Sequence, residues 1–342
     1  MKTSQLHTQR GSASRNERLE PTRRRGGLQL AALLIFAGWS NELHAQAVSQ
    51  FTSYQNYAAY ISDMPDLDQR RWNNDWPEYY GDGRMFCGPT AGANIVNYLG
   101  LQGESGLPSY ASLNLGRYTS STMPESTVEF INDFRLEASS RLIEEMALAM
   151  DTAPEPGSYA AVVWTAAGRK PSGTPTEDLE AGMAEILPSD YGVWGEGTMH
   201  CADGRNDSLR PREIFDELEA GNFVVIGVSP YNYNSDEDRY DRATGHIVTV
   251  TGVHRYEDEY GLWYVDSASE YGCTPGDCYD QSTYKYEYTT LSRVDDVVLH
   301  NVEDSGEEST CTRTRWALDD WSDTEGRLDL TSYMMVIEPP AE

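Results

Sequence analysis

Residues 246–268 read HIVTVTGVHRYEDEYGLWYVDSA. Two runs rich in Val, Ile, Thr, Tyr and Trp flank the polar stretch EDEYG, which ends in Gly261. That is the signature of two strands joined by a turn, so the spacing predicts a β-hairpin here. A hairpin is marginal alone and needs further strands or helices against it. FVVIGVS at 223–229 is short and apolar enough for a buried strand, and YKYEYTTL and SYMMVIE can join the same sheet.

Upstream the apolar period changes from two to about 3.6. TAGANIVNYL sets Ala91, Ile95, Tyr98 and Leu99 at helical spacing, with Gly100 placed to stop the helix. Between Pro124 and Met150, Val128, Ile131, Phe134, Leu142, Met146 and Met150 predict one long helix or two shorter ones. TPTEDLEAGMAEIL starts with a capping-box pattern, Thr174 as N-cap, Pro175 at the first helical position and Glu177 after it. PREIFDELEAGN reads as a helix from Pro211 to a stop at Gly221. Helices first and an antiparallel sheet later predict an α+β architecture, with a helical insertion at about 124–190. Residues 103–124 read as loop, and 48–66 as a polar, Tyr-rich lead-in to a domain spanning 67–342.

The chain has 342 residues, 39% of them hydrophobic and 11% aromatic, enough for a sizeable core. Its net charge is −29. Residues 1–47 hold seven Lys or Arg against three Glu, a balance of +4, which leaves −33 on the rest. Such a surface repels phosphate backbones and anionic head groups, which excludes nucleic-acid and membrane-surface roles. The basic segment TRRRGG precedes LQLAALLIFAGW, an apolar run too short to span a bilayer, and NELHAQA with small residues at Ala45 and Ala47. The pattern predicts a signal peptide over 1–47, cleaved near Ala45 or Ala47, with twin-arginine export or an uncleaved anchor as alternatives. The expected location is outside the cytoplasm, with no membrane contact after signal removal.

Export gives the five cysteines meaning. An odd number in an oxidising compartment leaves one unpaired within the chain. Cys273 and Cys278 flank TPGD, a turn signal, and can close a small loop; Cys201 and Cys311 can form a second bridge. Cys87 is left over. It stands immediately before a helix, where free N–H groups and the macrodipole favour a thiolate. Serine there would gain almost nothing, because its hydroxyl titrates too far above neutrality.

A nucleophile needs a base. His246 opens the first strand of the hairpin, and Asp266 sits at the end of the paired strand, twenty residues on. Near the open end of a hairpin these two ends lie side by side, so Asp266 can accept from the imidazole and fix its tautomer. Cys87, His246 and Asp266 together match the roles of nucleophile, base and orienter. His200 beside Cys201 lacks further ligands at zinc spacing, and SDEDRYD at 235–241 lacks the glycine and terminal glutamate of a calcium loop, so it reads as a solvated loop. No metal or cofactor is expected.

CGPTAGANIVNYLG, LEAGNFVVIGVS, GHIVTVTGV and WYVDSA, in that order, resemble the papain-like peptidases of the bacteriocin-processing type, specifically their stand-alone secreted relatives, family thirty-nine of the cysteine peptidases. The resemblance runs from about 65 to 268, with MALAMDT and TEDLEAGMAEIL between the blocks also echoing it. It implies a papain-like fold, a catalytic helix packed on an antiparallel sheet. It further implies Cys87 as nucleophile, His246 as general base and acid, Asp266 as orienter, and a peptide or protein substrate. The family carries an oxyanion-hole glutamine a few residues before the cysteine, and YYGDGRMF has none. The nearest is Gln69, eighteen residues upstream, with Asn73 or Asn74 as substitutes. An acyltransferase or amidase would use the same site. A degenerate binding module, or a structural protein with Cys87 bridged to another chain, would not need it.

Overall fold

The computed structural model describes residues 47–53, 55–67, 86–115, 118–152, 173–197, 209–243, 245–267, 286–302, 308–319 and 326–340. All belong to the unit Glu42–Glu342. The hairpin at its centre is formed by β6 (His246–Tyr256) and β7 (Glu259–Val265), in the order read from the sequence. The turn is tighter than the polar stretch suggests: Tyr256 pairs with Glu259, and Glu257 takes φ 56°. Gly261 therefore lies within β7, where a Cβ would run into the His254 ring.

Among the described residues a ten-stranded sheet assembles around this hairpin. β4 (Phe223–Asn234) pairs antiparallel with β6, and β10 (Arg327–Glu338) covers the other edge of β4. β7 pairs with the long β8 (Glu287–Val302), and β8 with β9 (Glu308–Leu318). One further pair, Leu330 with Ala317, joins β10 to β9. Followed around, β6, β7, β8, β9, β10 and β4 close into a ring. Phe223 to Tyr231 of β4 are buried without interruption, and helices pack against this strand as well. A smaller cluster of Tyr231, Val297, Leu299, Ala317 and Leu330 packs on the β8–β10 side.

Four strands depart from the sequence reading. The lead-in 48–66 is not a lead-in: β1 (Ala47–Ser53) and β2 (Asn56–Ile61) form a hairpin whose second strand pairs with β6. Tyr57, Ala59 and Ile61 are buried and their neighbours half-exposed, the period of two that a half-buried strand shows. β3 (Gly192–Gly197), sequence GVWGEG, carries no such pattern and exists because β10 pairs with it. The acidic stretch 235–241 is a turn only as far as Asp238. β5 (Arg239–Arg242) then pairs with β4 and, in parallel, with β8.

The helices fall where the period predicts. α1 (Cys87–Leu101) is buried from Gly88 to Gly100, and its small residues let neighbours come close. At Gly92 a Cβ would lie 2.8–2.9 Å from the side-chain ends of Met146, Met183 and Met150. The region 124–150 is a single helix, α2 (Glu125–Ala149), and α3 spans Thr176–Ile186. α3 lacks the expected cap: Pro175 is extended at φ −58°, ψ 148°, and the Thr174 hydroxyl instead meets that of Thr152 at 2.7 Å. α4 (Pro211–Glu219) starts at its proline as read, with Glu213 accepting from the Arg210 N–H. Among the described residues no helix is long and apolar enough to cross a membrane.

Candidate active site

Cys87 is the first residue of α1. The Thr90 N–H makes its helical bond to the Phe86 carbonyl at 2.9 Å, and Pro89 has no N–H to give. The N–H groups of Cys87 and Gly88 therefore precede the helical ladder, at the positive end of its dipole. α1 carries no acidic residue in its first turn, so nothing on the helix itself opposes an anion there. Cys87 is a free cysteine and only half-buried, whereas the helix behind it is inaccessible.

His246 is the first residue of β6 and pairs with Val228 of β4. Thr249 pairs with Val265 across the hairpin, so the register carried on by one step sets Asp266 opposite Val248. Asp266 and His246 are then diagonal neighbours, a separation long side chains bridge. His246 Nε2 and the Asp266 carboxylate lie 2.6 Å apart, with side chains 17% and 11% exposed. The His246 ring also hydrogen-bonds the Cys87 side chain. With Nε2 committed to the carboxylate, Nδ1 is the ring nitrogen left for the sulfur.

Burial of the ring opposes its charge, but the Asp266 carboxylate and then the Cys87 sulfur outweigh that penalty. The imidazolium is held up to about 10. A positively charged ring against a half-buried sulfur at a helix N-terminus can exchange a proton with that sulfur and stabilise it as an anion.

α1 is tied to the strand that carries His246. The Thr249 hydroxyl donates to the Ala91 carbonyl at 3.1 Å, both groups buried. Three residues further along α1, Asn94 Oδ1 accepts the Leu67 N–H at 2.9 Å. The Gly88 position is closed in by Thr174 and Leu179, whose atoms would meet a Cβ at 3.2 Å.

All three residues singled out from the sequence, Cys87, His246 and Asp266, thus meet at one place. Gln69, Asn73 and Asn74 lie outside the described residues, as do Cys201, Cys273 and Cys278. The other described histidines stand apart: His254 packs between Trp263 and Tyr288, and His300 bonds Thr310 on β9. Among the described residues no group of three or more His, Cys, Asp or Glu is placed to hold a metal ion. Thr249 escaped the sequence reading. Its signal was a hydroxyl in the middle of an apolar strand, where valine would serve the core as well. In comparison with known proteins, no family model matches the chain, and no curated protein matches it in sequence.

Proposed function

We propose that the chain is an exported thiol peptidase of papain-like fold that hydrolyses peptide bonds through Cys87, His246 and Asp266. The observation that carries this reading is the His246 ring, bonded to the Asp266 carboxylate through Nε2 and to the Cys87 side chain. Cys87 as thiolate attacks the carbonyl carbon of the scissile bond. The oxyanion forms against the Cys87 N–H and a side-chain donor, for which Gln69 is the candidate. His246 gives its proton to the leaving amine, the C–N bond breaks, and a thioester remains on Cys87. Water, losing a proton to His246, hydrolyses the thioester and restores the thiolate–imidazolium pair. Asp266 holds the ring and its charge throughout.

Export is supported by the basic, then apolar, N-terminal segment. It accords with Cys273–Cys278 and Cys201–Cys311 as disulfides and Cys87 as the free thiol. The test is incubation of the chain and its Cys87→Ala variant with a peptide library, with cleavage read by mass spectrometry. Products from the first and none from the second are expected. Equal product patterns, or none from either at any pH between 5 and 9, overturn the reading.

A further inference from the structure

The hydroxyl of Thr249 stands where three constraints of the site converge. It is buried, and it donates to the carbonyl of Ala91, one helical turn beyond Cys87. Its backbone is three residues along β6 from His246 and in register with Val265, the residue before Asp266. A hydroxyl in a core is costly unless bonded, and once bonded it is directional in a way that a methyl is not. Apolar packing alone would let α1 slide or roll on β6 by fractions of an ångström. A hydrogen bond to one named carbonyl of the helix does not. Two residues further on, Thr251 is also buried but its hydroxyl has no partner among the described residues, which makes it an internal control.

We propose that Thr249 is a positioning residue that sets the separation between the Cys87 sulfur and the His246 ring by pinning α1 to β6 through the Ala91 carbonyl. The inference rests on the thiol-peptidase reading, since it assigns to Thr249 the spacing that reading requires.

The experiment measures the second-order rate of Cys87 alkylation by iodoacetamide at pH 6, together with kcat and KM on any peptide the library yields. A thiolate–imidazolium pair makes the unaltered chain react about 10²-fold faster than a simple thiol at that pH. T249V, nearly isosteric, is expected to lose about 10–10²-fold of alkylation rate and of kcat with KM little changed, as a misplaced reacting pair does. T249S keeps the hydroxyl and is expected to react like the unaltered chain. T251V removes the unpartnered hydroxyl and is also expected to react like it. Should T249V fail to fold, T249S against T249A, which differ only by the hydroxyl, gives the same comparison. Alkylation by T249V, or by T249A relative to T249S, at an undiminished rate overturns the positioning role while leaving the peptidase reading in place. An unaltered chain that alkylates no faster than a simple thiol overturns both.

Discussion

His246 Nε2 and Asp266 Oδ1 lie 2.6 Å apart, although one residue opens β6 and the other follows the end of β7. The contact is as short as charge-assisted hydrogen bonds become, and both groups are largely screened from water. It keeps a proton on Nε2 and turns the proton exchange of the ring toward Nδ1. The hairpin register thus does more than join two strands, because it chooses the tautomer of the imidazole.

Asp266→Asn tests that relationship. Asparagine keeps the size and an acceptor but removes the charge, and the burial that opposes the imidazolium remains. The His246 pKa is expected to fall from about 10 toward or below its ordinary value. Turnover is expected to drop about tenfold for Asp266→Asn and about 10²-fold for Asp266→Ala, which also frees the ring to rotate. The measurements are an NMR titration of the His246 ring and kcat/KM on the same preparations. A ring pKa that stays put in Asp266→Asn would remove the carboxylate from its assigned role.

The same pair makes stability depend on pH. The folded-state His246 pKa, about 10, lies above the value of 6.5 that the ring has when unfolded, so folding favours the protonated form. The contribution is complete below 6.5 and is lost as pH rises through 10. Its size is a few kcal/mol, at about 1.4 kcal/mol for each pKa unit. Urea midpoints are therefore expected to fall between pH 7 and pH 10, and to fall less steeply in Asp266→Asn. Parallel profiles for the two proteins would assign the alkaline loss to other groups.

The sequence displays local order clearly and long-range pairing poorly. α1, α2, α4 and the β6–β7 hairpin were legible because each carries its own period, and α4 and the hairpin also a stop, Gly221 or a polar turn; α1 runs through Gly100, the stop read for it, to Leu101. Cys87, His246 and Asp266 were legible because they sit at the ends of those elements. β3 and β5 were not, because GVWGEG and RYDR have no buried alternation, and their neighbours β10, β4 and β8 make them strands. β1 and β2 lay between. The alternation Tyr57, Ala59, Ile61 was visible, but nothing local pointed to its partner β6, some two hundred residues on.

Gly92 and Gly100 both lie on the buried helix α1, and alanine is expected to act differently at each. At Gly92 the added methyl meets the flexible ends of three methionines, which can shift, and helix propensity returns about 1 kcal/mol. Gly92→Ala should stay within about 1 kcal/mol of the parent. At Gly100 the methyl meets the Ala111 carbonyl, with Ser112 N at 2.8 Å, and that backbone cannot rotate away. A loss of about 3 kcal/mol or more is expected, because the loop must move off the helix. Urea unfolding of the two variants decides, and equal losses would mean that the loop yields as readily as the methionines do.

Asn97 holds the same loop to the same helix by polar means. Its Nδ2 donates to the Ala111 carbonyl at 2.7 Å and to the Leu113 carbonyl at 2.9 Å, and its side chain is buried among apolar neighbours. Asn97→Leu matches the shape but leaves two carbonyls without this donor, at a cost of about 1–3 kcal/mol. Asn97→Asp is expected to be worse at neutral pH, because an ionised carboxylate would face those two oxygens with no proton to offer. Its deficit should shrink as pH falls and the carboxyl protonates, since the acid form can donate to one of them. Ten residues of helix, about 15 Å, separate Asn97 from Cys87. Alkylation of Cys87 should therefore be unchanged in both variants wherever they remain folded. The distinguishing measurement is the urea midpoint of Asn97→Asp relative to the parent at pH 7 and pH 4.5: a gap that does not narrow on acidification would show that the two carbonyls are not what the amide is there to satisfy.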